Sequence, residues 1–322
     1  CLFFKNPVVA HGSAFSERFH FGQTFDEQYI GVKFNFIDGR TPAQLKNSSI
    51  RLFSSTNNID LSQLPSLKFN YANDTNHALS HLSVFMWLSH LESEMKKRTG
   101  AFFASGKNIP VDVYNEKIQD NAYWDGNQII LGAATNAGKP IHEMALSSEI
   151  YLHEMGHANL QFAVGRFLSD KNAGQQLGTC SSKLGCISAI NEGQADMHAL
   201  FIFSQNTALG ETYANSLNGI KQNGIPRNVN QVRKWTVANF YQLSAGEVHG
   251  MGTAYASILW EMYRHPDMNP ADFEKMFSSH LLKLTESTRF SEARDIFLAE
   301  DLAHFQGKYQ TLIQSVFTTK GI

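Results

Sequence analysis

The stretch Tyr151-Leu152-His153-Glu154-Met155-Gly156-His157 has the spacing H-E-x-x-H. Residues i and i+4 lie on the same face of an α-helix, so His153 and His157 can direct two imidazoles at one metal ion. Glu154 can reach the open side of that ion and accept a proton from a water bound there. A chain with 13 His can contain this pattern by chance, on the polar face of an ordinary helix. The motif therefore needs a buried helical setting and a third ligand.

The residues around the motif predict a buried helix. We expect it to begin near Leu146, with Ser147 and Ser148 as candidate caps. Apolar residues then occupy much of its circumference: Ile150, Leu152, Met155, Leu160, Phe162, Ala163, Val164 and Phe167. A helix that is apolar on nearly all sides is buried, and buried ionisable groups are costly without partners. This setting favours a metal site over a solvated polar face.

A second helix, predicted over residues 188–201, carries Glu192 and Asp196 at positions i and i+4. One carboxylate can complete the protein ligands of a metal, and the other can accept the outer ring N–H of a ligand His. The alternative is a solvated acidic face, but the mostly apolar neighbours favour burial. Three protein ligands leave the fourth position of zinc for water, which is typical of a catalytic site.

Length and composition indicate a folded globular protein. The 322 residues are enough for two packed lobes, and contents of 43% hydrophobic and 17% charged residues argue against disorder. The net charge of −2 gives no electrostatic support for nucleic-acid binding. No run of 18 or more apolar residues occurs, so we expect no transmembrane helix. We also expect a monomer.

The chain contains 3 Cys. Cys180 and Cys186 flank a Gly- and Ser-containing loop, which favours a small disulfide over two free thiols or a metal pair. Cys1 is then left over, and a mature chain that begins at Cys is what bacterial lipoprotein processing leaves behind. The alternative is an arbitrary chain boundary. We therefore expect an exported protein (periplasmic, cell-surface or secreted), with Cys1 as a candidate lipid anchor.

The order of patterns predicts two lobes. Residues 1–166 form a β-rich N-terminal lobe that ends in the H-E-x-x-H helix, and residues 167–322 form a mainly helical C-terminal lobe. Other helices are expected over residues 76–97, 254–263, 271–285 and 291–317. Asp125-Gly126 is a hairpin signal, which places residues 121–123 on a strand. At a sheet edge this strand can pair with an extended peptide; the alternative is a hairpin with an aromatic anchor.

His153-Glu154-x-x-His157 with Asn191-Glu192-x-x-x-Asp196 downstream resembles the thermolysin-like metallopeptidases of the gluzincin group. Asn121-Ala122-Tyr123-Trp124 is similar to the edge-strand motif with which this family binds substrate backbone. Residues 246–252 are similar to the segment whose His stabilises the transition state, and they also resemble the fungalysin branch. The resemblance spans roughly residues 75 to 320. It implies a two-lobed α+β zincin fold, with a β-rich lobe, a mainly helical lobe and a cleft between them.

The resemblance also implies roles at the metal. His153, His157 and Glu192 would bind one catalytic Zn²⁺, and Glu154 would act as the general base. His249 would donate a hydrogen bond to the oxyanion; from the residues alone it is equally a loop His. Taken with the motifs, this predicts a zinc-dependent metalloendopeptidase whose substrate is a peptide or protein.

Further roles follow from the same resemblance. Asp196 would orient His153 and Asn191 would hold His157. The peptide backbone would be held by Asn121, Ala122 and, as a weaker match, Arg227, for which Arg233 is a competitor.

The chain also departs from the family. No Tyr occurs from Ala158 to Asn191, where the family has one that assists the oxyanion. Either His249 acts with less help, or Tyr241 or Tyr255 substitutes. The acidic residues of the family's paired calcium site look absent, so calcium is not expected there. No G-x-M-E-N stretch occurs, which favours endopeptidase over aminopeptidase action.

Two other classes of function stay open. The chain can be an exported or surface binding protein built on an inactive peptidase scaffold, since a fold does not guarantee a function. It can also be a zinc hydrolase that acts on something other than peptides. Glu154 distinguishes an enzyme from a binding protein, because a protein that only binds has little reason to keep the base together with the ligands.

Overall fold

The computed structural model describes residues 2–3, 29–30, 45–56, 78–136, 139–168, 186–202, 221–222, 225–226, 228–232, 234–244 and 246–322. The described residues do not include Cys1, Cys180, Arg227 and Arg233. The lipid anchor at Cys1 and the binding of substrate by Arg227 or Arg233 therefore stay predictions. The described chain has short strands in its first half and mainly helices in its second. The predicted α+β class is confirmed.

The strands are β1 Leu2–Phe3, β2 Tyr29–Ile30, β3 Ile50–Phe53, β4 Ile109–Asp112, β5 Ala122–Trp124, β6 Ile129–Leu131, β7 Ala133–Asn136, β8 Lys139–Glu143, β9 Lys221–Gln222 and β10 Ile225–Pro226. Four of them form a sheet in the order β3-β4-β6-β5. The first three are parallel and β5 is antiparallel to β6. The inner strands are rich in buried Ile, Val and Leu, which pack well on a pleated surface. Gly126, at φ 97°, supplies the positive φ that the β5–β6 turn requires.

The helices are α1 Ala78–Thr99, α2 Ser148–Val164, α3 Cys186–Ile202, α4 Val229–Val232, α5 Val237–Ser244, α6 Val248–Tyr263, α7 Pro270–Leu281, α8 Phe290–Phe305 and α9 Gln310–Thr319. The prediction of one helix over residues 291–317 is wrong. The chain turns left-handed at Gln306 and Gly307, with φ of 59° and 79°, and the Gly307 N–H donates to the Asp301 carbonyl. This turn ends α8 as a glycine C-cap does, although the apolar periodicity continues across it.

An aromatic core joins α6, α7 and α8, and Tyr255 of α6 stacks on His280 of α7 with ring centroids 6.4 Å apart. Phe273 and Phe297 stack with ring centroids 6.0 Å apart, and His280 stacks on Phe297 at 4.4 Å. Burial lowers the pKa of His280 to about 3, so the imidazole is neutral. Aromatic side chains bury large apolar areas, so this core fixes α6, the helix that carries His249.

By their internal contacts the residues group into two compact units. One comprises residues 1–92, 104–155 and 210–219, and it contains the four-stranded sheet. The other comprises residues 93–103, 156–209 and 220–322, and it contains α3 to α9. The predicted domain boundary after residue 166 stays a prediction.

Cys186 is the first residue of α3 and a free thiol, only 4% exposed. The predicted Cys180–Cys186 disulfide is therefore not found, because the Cys186 side chain is buried at the start of a helix instead of lying in an open loop. Among the helices of the described ranges, none has the length and apolar character needed to cross a membrane.

Candidate active site

Helix α2 carries the H-E-x-x-H motif. It begins at Ser148, near the predicted start, and every residue from 151 to 160 is buried. His153, Glu154 and His157 are 7%, 6% and 9% exposed, and one ligand atom from each lies within 4.8 Å of the others. The helical spacing thus brings two imidazoles and a carboxylate together in a buried place, which is the setting that the motif requires.

Gly156, inside the motif, sets how closely α3 approaches α2. A Cβ at this position would lie 2.7 Å from the Ala195 Cα and 3.0 Å from the His198 Nδ1. Any side chain here would push α3 away. The glycine therefore allows the helix that carries Glu192 to lie against the second half of α2.

Glu192 faces His157. Its Oε1 lies 3.6 Å from the His157 Nε2, which is too long for a hydrogen bond. Two donors that each lie about 2.0 Å from a tetrahedral zinc ion are about 3.3 Å apart, so this spacing fits a shared metal. The donor set of two imidazoles and one carboxylate is also one that catalytic zinc sites use.

The imidazole of His249 lies on the other side of the same carboxylate. The His249 Nε2 is 3.7 Å from the Glu192 Oε2. The His249 side chain is 40% exposed, whereas Glu192 is only 14% exposed. His249 is therefore placed between Glu192 and solvent, where an incoming ligand can contact it.

Glu247 is a site residue that the sequence reasoning missed. Its Oε1 accepts a hydrogen bond of 2.7 Å from the His249 Nδ1, and its Oε2 accepts one of 2.9 Å from the Gly250 N–H at the start of α6. Burial acts to raise the pKa of Glu247, but the hydrogen bond and charge of His249, with the backbone N–H of Gly250, lower it below its ordinary value. The available signal was an acidic residue at a helix N-cap, which favours such a contact.

The Nδ1 of His157 lies 2.9 Å from the Asn191 Oδ1. An amide oxygen only accepts, so the ring must carry its proton on Nδ1 and keep the lone pair on Nε2, the atom that faces Glu192. Asp196 lies on α3 and is 0% exposed. Its predicted hydrogen bond to His153 stays a prediction.

The Glu154 carboxylate is tied to strand β5. The Trp124 N–H donates to the Glu154 Oε2 at 2.9 Å. The Asn121 carbonyl accepts a hydrogen bond from the Gly132 N–H of the neighbouring chain segment. Along an antiparallel strand, successive residues point their backbone N–H and C=O groups alternately towards the partner strand and away from it. The backbone groups of Asn121 and Tyr123 therefore face β6, whereas those of Ala122 and Trp124 face outwards from the edge of the sheet.

Tyr255 does not supply the missing family tyrosine. Its hydroxyl lies 3.0 Å from the His280 Nε2, its side chain is 0% exposed, and burial raises its pKa well above the ordinary value. A hydroxyl engaged in the aromatic core is out of reach of a substrate. Tyr241, on α5, is the other predicted substitute, and its role stays a prediction.

Helices α3 and α6 cross at two glycines beside Glu192. A Cβ on Gly252 would lie 2.3 Å from the Glu192 Cβ, and one on Gly193 would lie 2.6 Å from the Gly252 carbonyl oxygen. Glu192 is thus placed by the absence of a side chain on α6. The close contact at Gly252 is with the rigid Cβ of Glu192, which cannot rotate away.

Gly252→Ala is expected to weaken zinc binding by at least about 10-fold, the scale of losing an orienting contact at a metal ligand. The added methyl would displace Glu192, although Ala favours a helix over Gly by about 1 kcal/mol. Zinc affinity is measured by chelator competition. The control Ala254→Gly changes the same helix without adding an atom and should keep its zinc. Unchanged affinity in Gly252→Ala would show that α6 does not place Glu192.

Comparisons with known proteins bear on the fold and on the first half of the chain. Residues 33–161 match the family model of the thermolysin metallopeptidase catalytic domain, which supports a metallopeptidase function. Among solved structures, the fold is similar to the precursor of protealysin, a metalloproteinase from Serratia proteamaculans, with a TM-score of 0.56 and 14% identity over 79% of this chain and 82% of that one. No curated protein sequence matches. The resemblance inferred from the motifs is thus confirmed: the chain has a thermolysin-like fold, and residues 33–161 carry the pattern of the thermolysin catalytic domain.

Proposed function

We propose that this protein is a zinc-dependent metalloendopeptidase. The observation that carries the proposal is the buried H-E-x-x-H face of α2, with the Glu192 carboxylate at ligand spacing from His157. In this proposal His153, His157 and Glu192 hold one Zn²⁺. When bound, zinc lowers the pKa of a coordinated water to about 7 and polarises a carbonyl.

Glu154 is the general base of the proposed reaction. The Trp124 N–H holds one of its oxygens, which fixes the rotation of the carboxylate. Glu154 removes a proton from the attacking water and passes it to the leaving amine, a transfer that typically contributes about 10²- to 10⁴-fold to a rate. Its 6% exposure limits competition from bulk water.

The substrate backbone pairs with the edge of β5 in this proposal. The outward-facing groups of Ala122 lie two residues from Trp124, whose N–H holds the base. A peptide that extends the sheet there would bring a carbonyl near Glu154. The exposed Asn121 side chain at the start of β5 is available for a further hydrogen bond to the peptide.

His249 is the proposed donor to the oxyanion. Its Nδ1–H donates to Glu247 and its Nε2 faces the Glu192 side of the site, so the Nε2 donates to an oxyanion when the imidazole carries a proton on both nitrogens. His249→Phe is expected to lower kcat by about 10²- to 10³-fold with little change in KM, because the donor acts mainly in the transition state. His265→Phe, which changes a His outside the site, is the control. An unaffected kcat would remove His249 from the mechanism.

The proposed function is tested by incubating the protein with a peptide library, with and without a zinc chelator, and identifying the cut sites by mass spectrometry. We expect internal cuts that the chelator abolishes and added zinc restores. Tight zinc binding without any cut would favour a binding protein on a peptidase scaffold. Removal of terminal residues only would contradict endopeptidase action.

A further inference from the structure

Gln194 is a buried amide on α3, one turn after Asn191. Its side chain is 0% exposed, and its Nε2 lies 3.0 Å from the Asn191 Oδ1, 3.0 Å from the Asn191 carbonyl and 3.2 Å from the Gly156 carbonyl. All three neighbours are oxygens that only accept. The NH₂ end of Gln194 must therefore face them, because the opposite orientation would place its own oxygen against three others.

The two carbonyls do not depend on Gln194. They belong to residues inside α2 and α3, where backbone oxygens accept from the N–H four residues on. The Asn191 Oδ1 is different, because it is a side-chain atom whose other neighbour is the His157 Nδ1, at 2.9 Å. The distinctive effect of Gln194 is therefore on the Asn191 amide.

The Asn191 amide has one orientation that satisfies all its neighbours. Its Nδ2 donates to the Leu168 carbonyl at 3.1 Å, and its Oδ1 accepts from Gln194 and His157. If the amide rotated by half a turn, its NH₂ would meet the Gln194 NH₂ and an oxygen would meet the Leu168 carbonyl. Gln194 thus opposes the one rotation that would present a donor to His157.

We propose that Gln194 is a positioning residue for the zinc site: through Asn191 it holds His157 in the tautomer that carries its proton on Nδ1 and its lone pair on Nε2. The Nε2 is the atom that lies 3.6 Å from the Glu192 Oε1. This inference rests on the proposed zinc site. It adds a residue that touches neither metal nor substrate and acts through Asn191.

The burial of Gln194 is costly for the fold. Its Oε1 is buried and has no hydrogen-bond partner among the described residues. An unpaired buried oxygen destabilises a protein, and an apolar side chain of similar size would remove that cost. A residue kept only for stability should therefore be replaceable by Met, whereas a residue that orients Asn191 should not.

Gln194→Met is the test. We expect the zinc affinity, measured by chelator competition, to fall about 10- to 100-fold, as is typical when an orienting partner of a metal ligand is lost. The denaturation midpoint of the zinc-free protein should be unchanged or higher. Unchanged zinc affinity, or a fall in affinity only in proportion to a lower midpoint, would overturn the proposal.

Asn159→Leu is the matched control. Asn159 is a buried amide on α2 whose Nδ2 donates to the His198 Nε2, and His198 in turn contacts the backbone carbonyl of Gln194, which neither substitution removes. This variant should lose stability and keep the zinc affinity of a folded site. A loss of affinity equal to that of Gln194→Met would overturn the assignment to Gln194.

A measurement on the unmodified chain separates this inference from the proposed function. The ¹⁵N shifts of the His157 ring in zinc-free protein should report a proton on Nδ1, and Gln194→Met should show a mixture of both tautomers. A single Nε2–H tautomer in the unmodified chain would overturn the inference even if the enzyme is active. The Nδ1–H tautomer would support it even if no peptide is cleaved.

Discussion

Glu154→Gln is expected to abolish peptide hydrolysis and to leave zinc binding intact. The amide cannot take a proton from water, so the expected loss in kcat is at least about 10³-fold, within the range for a general base. The variant keeps its fold because the Gln oxygen can still accept the hydrogen bond that the Trp124 N–H gives to Glu154. Removing a buried carboxylate also removes its desolvation cost, so stability should not fall.

Metal content and kcat are measured on the same preparation. Glu116→Gln makes the same chemical change at an exposed position far from the motif in sequence and should be fully active. Retained turnover in Glu154→Gln would refute its role as the base. Loss of zinc together with turnover would show instead that Glu154 is a metal ligand, as its place in the His153–His157 cluster permits.

The parts of this site that were predictable depend on local pattern. The H-E-x-x-H helix was predictable because its spacing, its candidate serine caps and its apolar surroundings all lie within one stretch. The β5–β6 hairpin was predictable for the same reason, since Gly126, which has a positive φ, marks its turn.

The parts that were missed depend on tertiary contacts. Glu247 contacts His249 only because α6 begins at Val248, so the carboxylate serves both the helix end and the imidazole. In the sequence Gln194 is one polar residue on a helix, and its proposed role depends on its contacts with the Asn191 amide and the Gly156 carbonyl. Neither pairing leaves a periodic signal in the sequence.

The break between α8 and α9 shows the same limit. The apolar spacing that predicted one helix over residues 291–317 continues past Gln306, where the backbone turns left-handed. The helical period of the apolar residues indicates which side chains face the core. It does not reveal a turn after which the apolar side chains still face the core. Gly307 was the one local sign that the helix ends.

Glu192→Ala is expected to lower the zinc affinity by more than the 10- to 100-fold that is typical when an orienting partner of a ligand is removed, because this substitution removes a ligand itself. The carboxylate lies between His157 and His249, at 3.6 Å and 3.7 Å from their Nε2 atoms. Metal analysis after dialysis measures the loss. Glu286→Ala, at an exposed site, should retain the metal.

A stability measurement shows whether Glu192 serves the metal or the fold. Without zinc, Glu192→Ala should be as stable as the unmodified chain or more so, because a buried carboxylate is costly when no cation neutralises it. With zinc at about 100 times its dissociation constant, the unmodified chain should gain about 2.7 kcal/mol and the variant almost nothing. Equal gains in both would mean that zinc binds without Glu192, and the third ligand would have to be sought elsewhere.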